Sequence, residues 1–253
     1  MTQVIHKSIL CMLIVMTTMV CATAKESTLQ NNSTKITSEQ KMWALATTAI
    51  LTESNKGNHR LLGGSEATPA MRIAWRKSLA TWWDIHNRED LIDTLKWIDS
   101  GGHRKNFDML SRVLLTATPD QITEIKARVG DAPEMIHQID IVLKYGKQFG
   151  RKSIIAWDYD RYISICGWGY IAGYLTEDEA WTLIMPVAQS LQYTFDSWED
   201  LGLNHVIGRQ FWSLEQSKAR GGVTEQADQY LLTDTASPWL TIHWLLDLDS
   251  VVD

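Results

Sequence analysis

Between Lys152 and Gly173 the chain reads KSIIAWDYDRYISICGWGYIAG. At ~100° per residue this fits a helix that is apolar nearly all the way round. Ile154, Asp158, Arg161, Ile165, Gly169 and Ala172 share one face, and Tyr159, Ile163 and Tyr170 share the opposite one. Only a narrow strip of Asp160, Ser164 and Gly167 is polar or small. A helix without a wide polar face belongs in the middle of a domain, so the rest of the chain has to wrap it. Gly169 and Gly173, four residues apart, each cost ~1 kcal/mol of helix propensity, which predicts a second helix approaching closely there. Asp158 and Arg161 are three residues apart, expected to be buried and able to pair. They either fix the register of the core or form the floor of a pocket, where Arg161 holds an anion or Asp158 acts as a base.

What can wrap such a helix is set by the punctuation of the remaining sequence. Thr37 with Gln40, and Thr176 with Glu179, are capping boxes, and Asp131 with Glu134 is expected to be another. Thr68-Pro69, Thr118-Pro119 and Ser237-Pro238 each place a cap residue before a Pro at the first helical position. Asn87 opens a helix carrying Leu91, Ile92, Leu95 and Ile98, which stops at Gly101-Gly102 with His103 and Arg104 directly after. Pro186 lies inside the helix that begins at Glu177 and is expected to kink or split it. Ser197 caps a helix carrying Trp198, Leu201, Val206, Ile207, Phe211 and Trp212, with Gly208-Arg209 interrupting its apolar face. No run of period-two alternation and no Asn-Gly hairpin signal appears. The expectation is an all-α protein: one compact domain of about eight to ten helices spanning 37–253 around a buried central helix.

The amino terminus is an address. A short polar start with Lys7, the run ILCMLIVMTTMV over residues 9–20, and Ala22-Thr23-Ala24 together make a secretory signal peptide over 1–24. Residues 25–36 form a polar leader, and no later segment approaches the ~20 apolar residues a membrane span needs. A lipoprotein with Cys21 acylated is the rival, and Val20 just before it argues against that. Cleavage after Ala24 leaves Cys166 as the only cysteine, so the mature chain has no internal disulfide and relies on its core. Cys166 sits in an apolar run and reads as a buried, inert thiol.

Twelve Trp stand against 4 Phe, and roughly three quarters of them are expected in the core, with a few lining a pocket. Five fall between Ala156 and Trp212, where Trp157, Trp168, Trp198 and Trp212 are the candidate pocket aromatics.

The block AWDYDRYISICGWGYIAGYLTEDEAW and the later SWEDLGLNHVIGRQFW resemble the bacterial family known as Domain of Unknown Function 1266. The similarity rests on Trp157, Asp158 and Arg161, on Trp168 to Tyr174, on Ser197 to Asp200, and on Gly208, Arg209, Phe211 and Trp212. The step Gly102-His103-Arg104 and the tail Ser237-Pro238-Trp239 are similar to the family's as well, so the resemblance covers roughly Trp75 to Trp244. It implies a helical domain and brings no reaction, substrate or cofactor.

Motifs that would name a reaction are missing: there is no H-E-x-x-H, G-x-S-x-G, P-loop or Cys/His cluster with metal spacing. No cofactor and no metal is therefore expected. A net charge of -6 without a basic run weighs against nucleic acid as partner. The first functional reading is a binding or protein-interaction module of the bacterial envelope, its partner another exported protein or an envelope component. The second is an envelope-directed enzyme such as a glycan hydrolase, with Asp158 and Asp200 or Glu199 as carboxylates in a Trp-lined cleft. The candidate cluster is Asp158, Arg161, His103, Arg104 and Arg209. His103 and Arg104 are either a polar pair at a helix end or the mouth of a site beside Asp158 or Arg209.

Overall fold

Seven helix starts follow directly from local chemistry. Thr37, Thr68, Asn87, Thr118, Thr176, Ser197 and Ser237 each accept the backbone N–H three residues on, which satisfies one of the donors a helix start leaves over. The computed structural model describes residues 36–219 and 222–249; the expected signal peptide and the leader up to residue 35 lie outside them. Among the described residues there is no strand, and there are thirteen α-helices, ten of them nine residues or longer. In chain order they are α1 (Ser38–Ala46), α2 (Ala49–Ser54), α3 (Pro69–Trp83), α4 (Arg88–Asp99), α5 (Arg104–Leu114), α6 (Pro119–Val129) and α7 (Pro133–Phe149). There follow α8 (Ile155–Ala172), α9 (Glu177–Thr194), α10 (Trp198–Trp212), α11 (Leu214–Ala219), α12 (Val223–Thr233) and α13 (Pro238–Thr241). None of the described helices is long and apolar enough to cross a membrane.

α8 is the centre. Fifteen of its 18 residues are buried, and it packs against α3, α4, α9, α10 and a 3-10 turn at Leu62–Gly64. The expected close approach occurs at Gly169, where an added Cβ would lie 2.3 Å from Leu91 of α4. Gly173 does something else: it ends α8 in the left-handed conformation, φ 76°, a position glycine occupies without steric cost. Gly208 gives α10 its approach to α8, since a Cβ there would lie 2.4 Å from the Cβ of Trp157.

One expectation about local structure is corrected, and another is narrowed. α7 begins at Pro133 with no side-chain cap. Glu134, expected in a capping box with Asp131, instead accepts the backbone N–H of Leu214, at 3.0 and 3.1 Å. α9 runs from Glu177 to Thr194 through Pro186 without being split. The helix after Ser237 is a single turn, ending at Thr241.

The tryptophans divide more evenly than expected. Six of the 12 are buried: Trp43, Trp157, Trp181, Trp198, Trp239 and Trp244. Four of these form one cluster, with Trp198 5.0 Å from Trp43, 4.7 Å from Trp244 and 6.0 Å from Trp239. Trp43, Trp198 and Trp239 each donate their indole N–H to a backbone carbonyl, those of Trp244, Ile242 and Ala46. Ring packing and satisfied N–H groups make this cluster core that joins α1, α10 and the carboxyl-terminal segment. Trp198 is therefore not a pocket aromatic. A second apolar group, with Phe107, Val142, Phe149, Ile154, Trp157 and Phe211, binds α5 and α7 to α8 and α10. Cys166 is fully buried, and burial pushes its thiol well above the ordinary range.

Candidate functional site

A cleft of about 1050 Å³ opens between α3, α4, α8, α10 and the start of α5. Seven tryptophans line it: Trp75, Trp82 and Trp83 from α3, Trp97 from α4, Trp157 and Trp168 from α8, and Trp212 from α10. Trp82, Trp97 and Trp212 are exposed at its mouth, and Trp75 and Trp168 stack with centroids 4.7 Å apart. The polar lining combines Asn55, Ser78, Thr81 and Thr94 with the carboxylates Asp84 and Asp93 and with His103, Arg161 and Arg209.

Asp158 stands behind this lining, wholly buried. One oxygen accepts the backbone N–H of His103 at 3.1 Å and lies 3.1 Å from that residue's Nδ1. The other accepts the backbone N–H of Arg104 at 3.1 Å and its guanidinium at 3.0 Å. A carboxylate against two N–H groups at the first turn of α5 acts as a helix cap supplied from another helix, at the end where negative charge is favoured. Gly102 makes room for it: an added Cβ would lie 2.6 Å from the carboxylate, and φ is 46°. The same Arg104 donates to the carbonyls of Ile98 and Asp99, at 2.7 and 2.6 Å, and so closes the end of α4. Of the two roles weighed for the His103-Arg104 step, Arg104 takes the helix-end one and His103 faces the cleft.

The pair expected between Asp158 and Arg161 is corrected. Arg161 donates to Asp160 at 3.1 Å and to the carbonyl of Trp157 at 3.3 Å. Its guanidinium carbon lies 2.8 Å from the centroid of the Trp157 ring. Backbone direction explains this: Asp158 projects toward α5, where four donors meet it, and the Arg161 side chain folds back over Trp157. Asp160 is buried and also holds Nδ1 of His205 at 3.0 Å and the hydroxyl of Ser164 at 3.2 Å. Burial pulls Arg161 down to about 9; Asp160 opposes the shift and Arg209 adds to it. Burial likewise lowers His205, again against the pull of Asp160. His205 is thus a neutral imidazole near neutral pH, set edge-on to Trp157 at 5.4 Å.

Arg209 lies 5.9 Å from the centroids of both Trp157 and Trp212. The structure thus gathers His103, Arg161 and Arg209 around one pair of indoles, with Asp158 and Asp160 supporting them from behind. Trp168 and Trp212 line the cleft as candidate aromatics, and Trp157, fully buried, lies at its floor beneath Arg161. Sequence reasoning missed Trp75, Trp82, Trp83 and Trp97, and it missed Asp160 and His205 as supports of Arg161. Asp200 lies elsewhere, ion-paired with Lys152, and neither it nor Glu199 lines the cleft.

Fold and site together define an all-helical protein built on a buried, charge-bearing central helix, with a tryptophan-walled cleft that has two arginines at its inner end. The chain belongs to the family of proteins of unknown function DUF1266, whose sequence profile matches residues 78–244. Two uncharacterised proteins of Escherichia coli strain K12 are similar to it: YbeU, 27% identical over 153 residues, and YbeR, 24% identical over 135 residues. The matches cover 60% and 53% of this chain, and the chain spans 64% of the length of YbeU and 56% of that of YbeR. No solved structure matches the fold.

Proposed function

We propose that the protein is a binding module whose cleft takes a flat, anionic ligand. The observation that carries this reading is the placement of Arg161 and Arg209 at the inner end of a cleft walled by seven tryptophans. Indole faces supply apolar area at low entropic cost, and guanidinium groups in a partly desolvated setting favour carboxylate or phosphate. Glycan hydrolysis is the weaker reading. Asp158 already accepts four hydrogen bonds, and the lining carboxylates are largely exposed, Asp84 2.9 Å from the His86 ring nitrogen and Asp93 ion-paired with Lys96. Neither is enclosed by apolar side chains as a general acid for a glycosidic leaving group would be.

The test is an NMR titration with 2-naphthoate, read at the indole N–H resonances. Trp157, Trp168 and Trp212 should shift in a saturable way, while Trp43, Trp198 and Trp239, whose N–H groups are tied to carbonyls in the core, should stay in place. Neutral 2-acetonaphthone should bind more weakly, and Arg161→Met should remove the difference. No saturable shift up to millimolar probe, or shifts confined to the core indoles, would rule the cleft out.

We propose further that the module works in the bacterial envelope, exported by the signal peptide at 1–24. Amino-terminal sequencing of the protein recovered from periplasmic extract should begin at Lys25, and a chain beginning at Cys21 would establish the lipoprotein instead.

A further inference from the structure

Resting on the reading of the cleft as a ligand site, we infer that His103 is its specificity-determining hydrogen-bond acceptor. The ligand class it selects is a flat anion with an N–H or O–H donor next to the anionic group. Nδ1 of His103 lies 3.1 Å from Asp158, a carboxylate that two backbone N–H groups and Arg104 hold in place. A carboxylate only accepts, so Nδ1 carries a proton in this contact, and the acceptor role inferred for Nε2 is that of the uncharged ring. Asp158 thereby sets the tautomer as well as the position of the ring.

The ring is also held sterically. Trp97 meets it edge-on at 5.0 Å, Trp212 at 6.2 Å and Trp157 at 6.4 Å. It lines the cleft with 22% of its side chain accessible, and the side-chain hydrogen bond of its ring among the described residues goes to the carboxylate behind it. The two cleft-lining cations beside the same indoles, Arg161 and Arg209, can only donate. An acceptor at His103 beside these two cationic donors, across a single pair of rings, is complementary to an anion flanked by a donor. A ligand lacking that donor leaves Nε2 desolvated without a partner, which is the costly half of hydrogen-bond discrimination.

Indole-2-carboxylate and 1-benzofuran-2-carboxylate test this directly. They are near-isosteric flat anions, and only the first carries an N–H next to the carboxylate. Titrated into the full-length protein under the same NMR readout, indole-2-carboxylate should bind roughly tenfold more tightly. The 15N resonance of His103 Nε2 should move with that probe and stay with the other. His103→Phe should remove the preference, with its thermal midpoint recorded to confirm folding; the wild-type pair and the Nε2 resonance decide the matter if that variant does not fold. Equal affinities with no movement of Nε2 overturn the inference and leave the cleft reading standing. Failure of both probes to bind overturns the two together.

Discussion

Asp160, and not Asp158, is the carboxylate that holds Arg161: the guanidinium donates to it at 3.1 Å, while Asp158 accepts from the first turn of α5. Two neighbouring acids on one helix thus have separate duties. One joins two helices through backbone amides, and the other neutralises a buried cation at the cleft floor. Their removal should have different consequences.

Asp158→Ala leaves two helix-start N–H groups without their acceptor and the guanidinium of Arg104 with only the carbonyls of Ile98 and Asp99. Truncating one partner of a buried charge network costs about 3–5 kcal/mol. Urea unfolding should register a loss of that size, and the disturbance should appear in hydrogen exchange of the first turn of α5. A loss under about 1 kcal/mol would show that Asp158 is not the anchor of that turn.

Asp160 and Arg161 should behave asymmetrically. Asp160→Ala leaves Arg161 buried with the carbonyl of Trp157 as its remaining acceptor, so it should cost about 3–5 kcal/mol. Arg161→Met leaves Asp160 with His205 and Ser164, and should cost less. In the double variant neither buried charge lacks its partner, so the loss should fall short of the sum by about 1–3 kcal/mol. Simple additivity would mean that the pair is not coupled.

These duties mark where sequence reasoning stopped. Caps such as Thr37, Thr68 and Ser197 were legible because the bond joins residues three apart. The central helix was legible because burial on every side leaves an apolar signature in its own residues. The partner of Arg161 was not, since a long side chain can reach the acid next to it or the one three residues before, and helical periodicity does not choose. Asp158 meets His103 and Arg104 across more than fifty residues of chain, which no local pattern encodes. Trp75, Trp82 and Trp83 fall at helical spacing along α3, and spacing gives no sign that this part of the helix borders open space and not a facing side chain. Glu134 shows the reverse error: a cap pattern was present, and a tertiary bond to Leu214 took its carboxylate.

Acid should weaken the protein through His205. Burial lowers its proton affinity in the folded state, so the unfolded chain binds more protons as pH falls below about 6.5. The stability linked to the neutral ring is complete above that value and is lost as pH drops toward the lower folded value. Thermal unfolding between pH 7.5 and 5 should show the advantage of wild type over His205→Gln shrinking on acidification. A gap between the two that is independent of pH would count against a neutral, buried His205.

Asp228 should act in the opposite direction. One of its carboxylate oxygens is buried without a partner, on α12 where it faces Gly202 and Trp239. Burial, reinforced by Glu199 and Glu225, pushes it up to about 6. The folded protein therefore holds this proton at pH values where the unfolded chain has released it, and stability falls as pH rises from about 4 to about 6. At pH 7 the ionised form is a net cost, discounted because the group is only partly buried. Asp228→Asn removes the charge and keeps the shape. It should stabilise the protein by about 1 kcal/mol at pH 7, with the gain fading below pH 4. Paired urea curves at the two pH values measure this, and a variant less stable than wild type at pH 7 would mean that the carboxylate has a stabilising partner there.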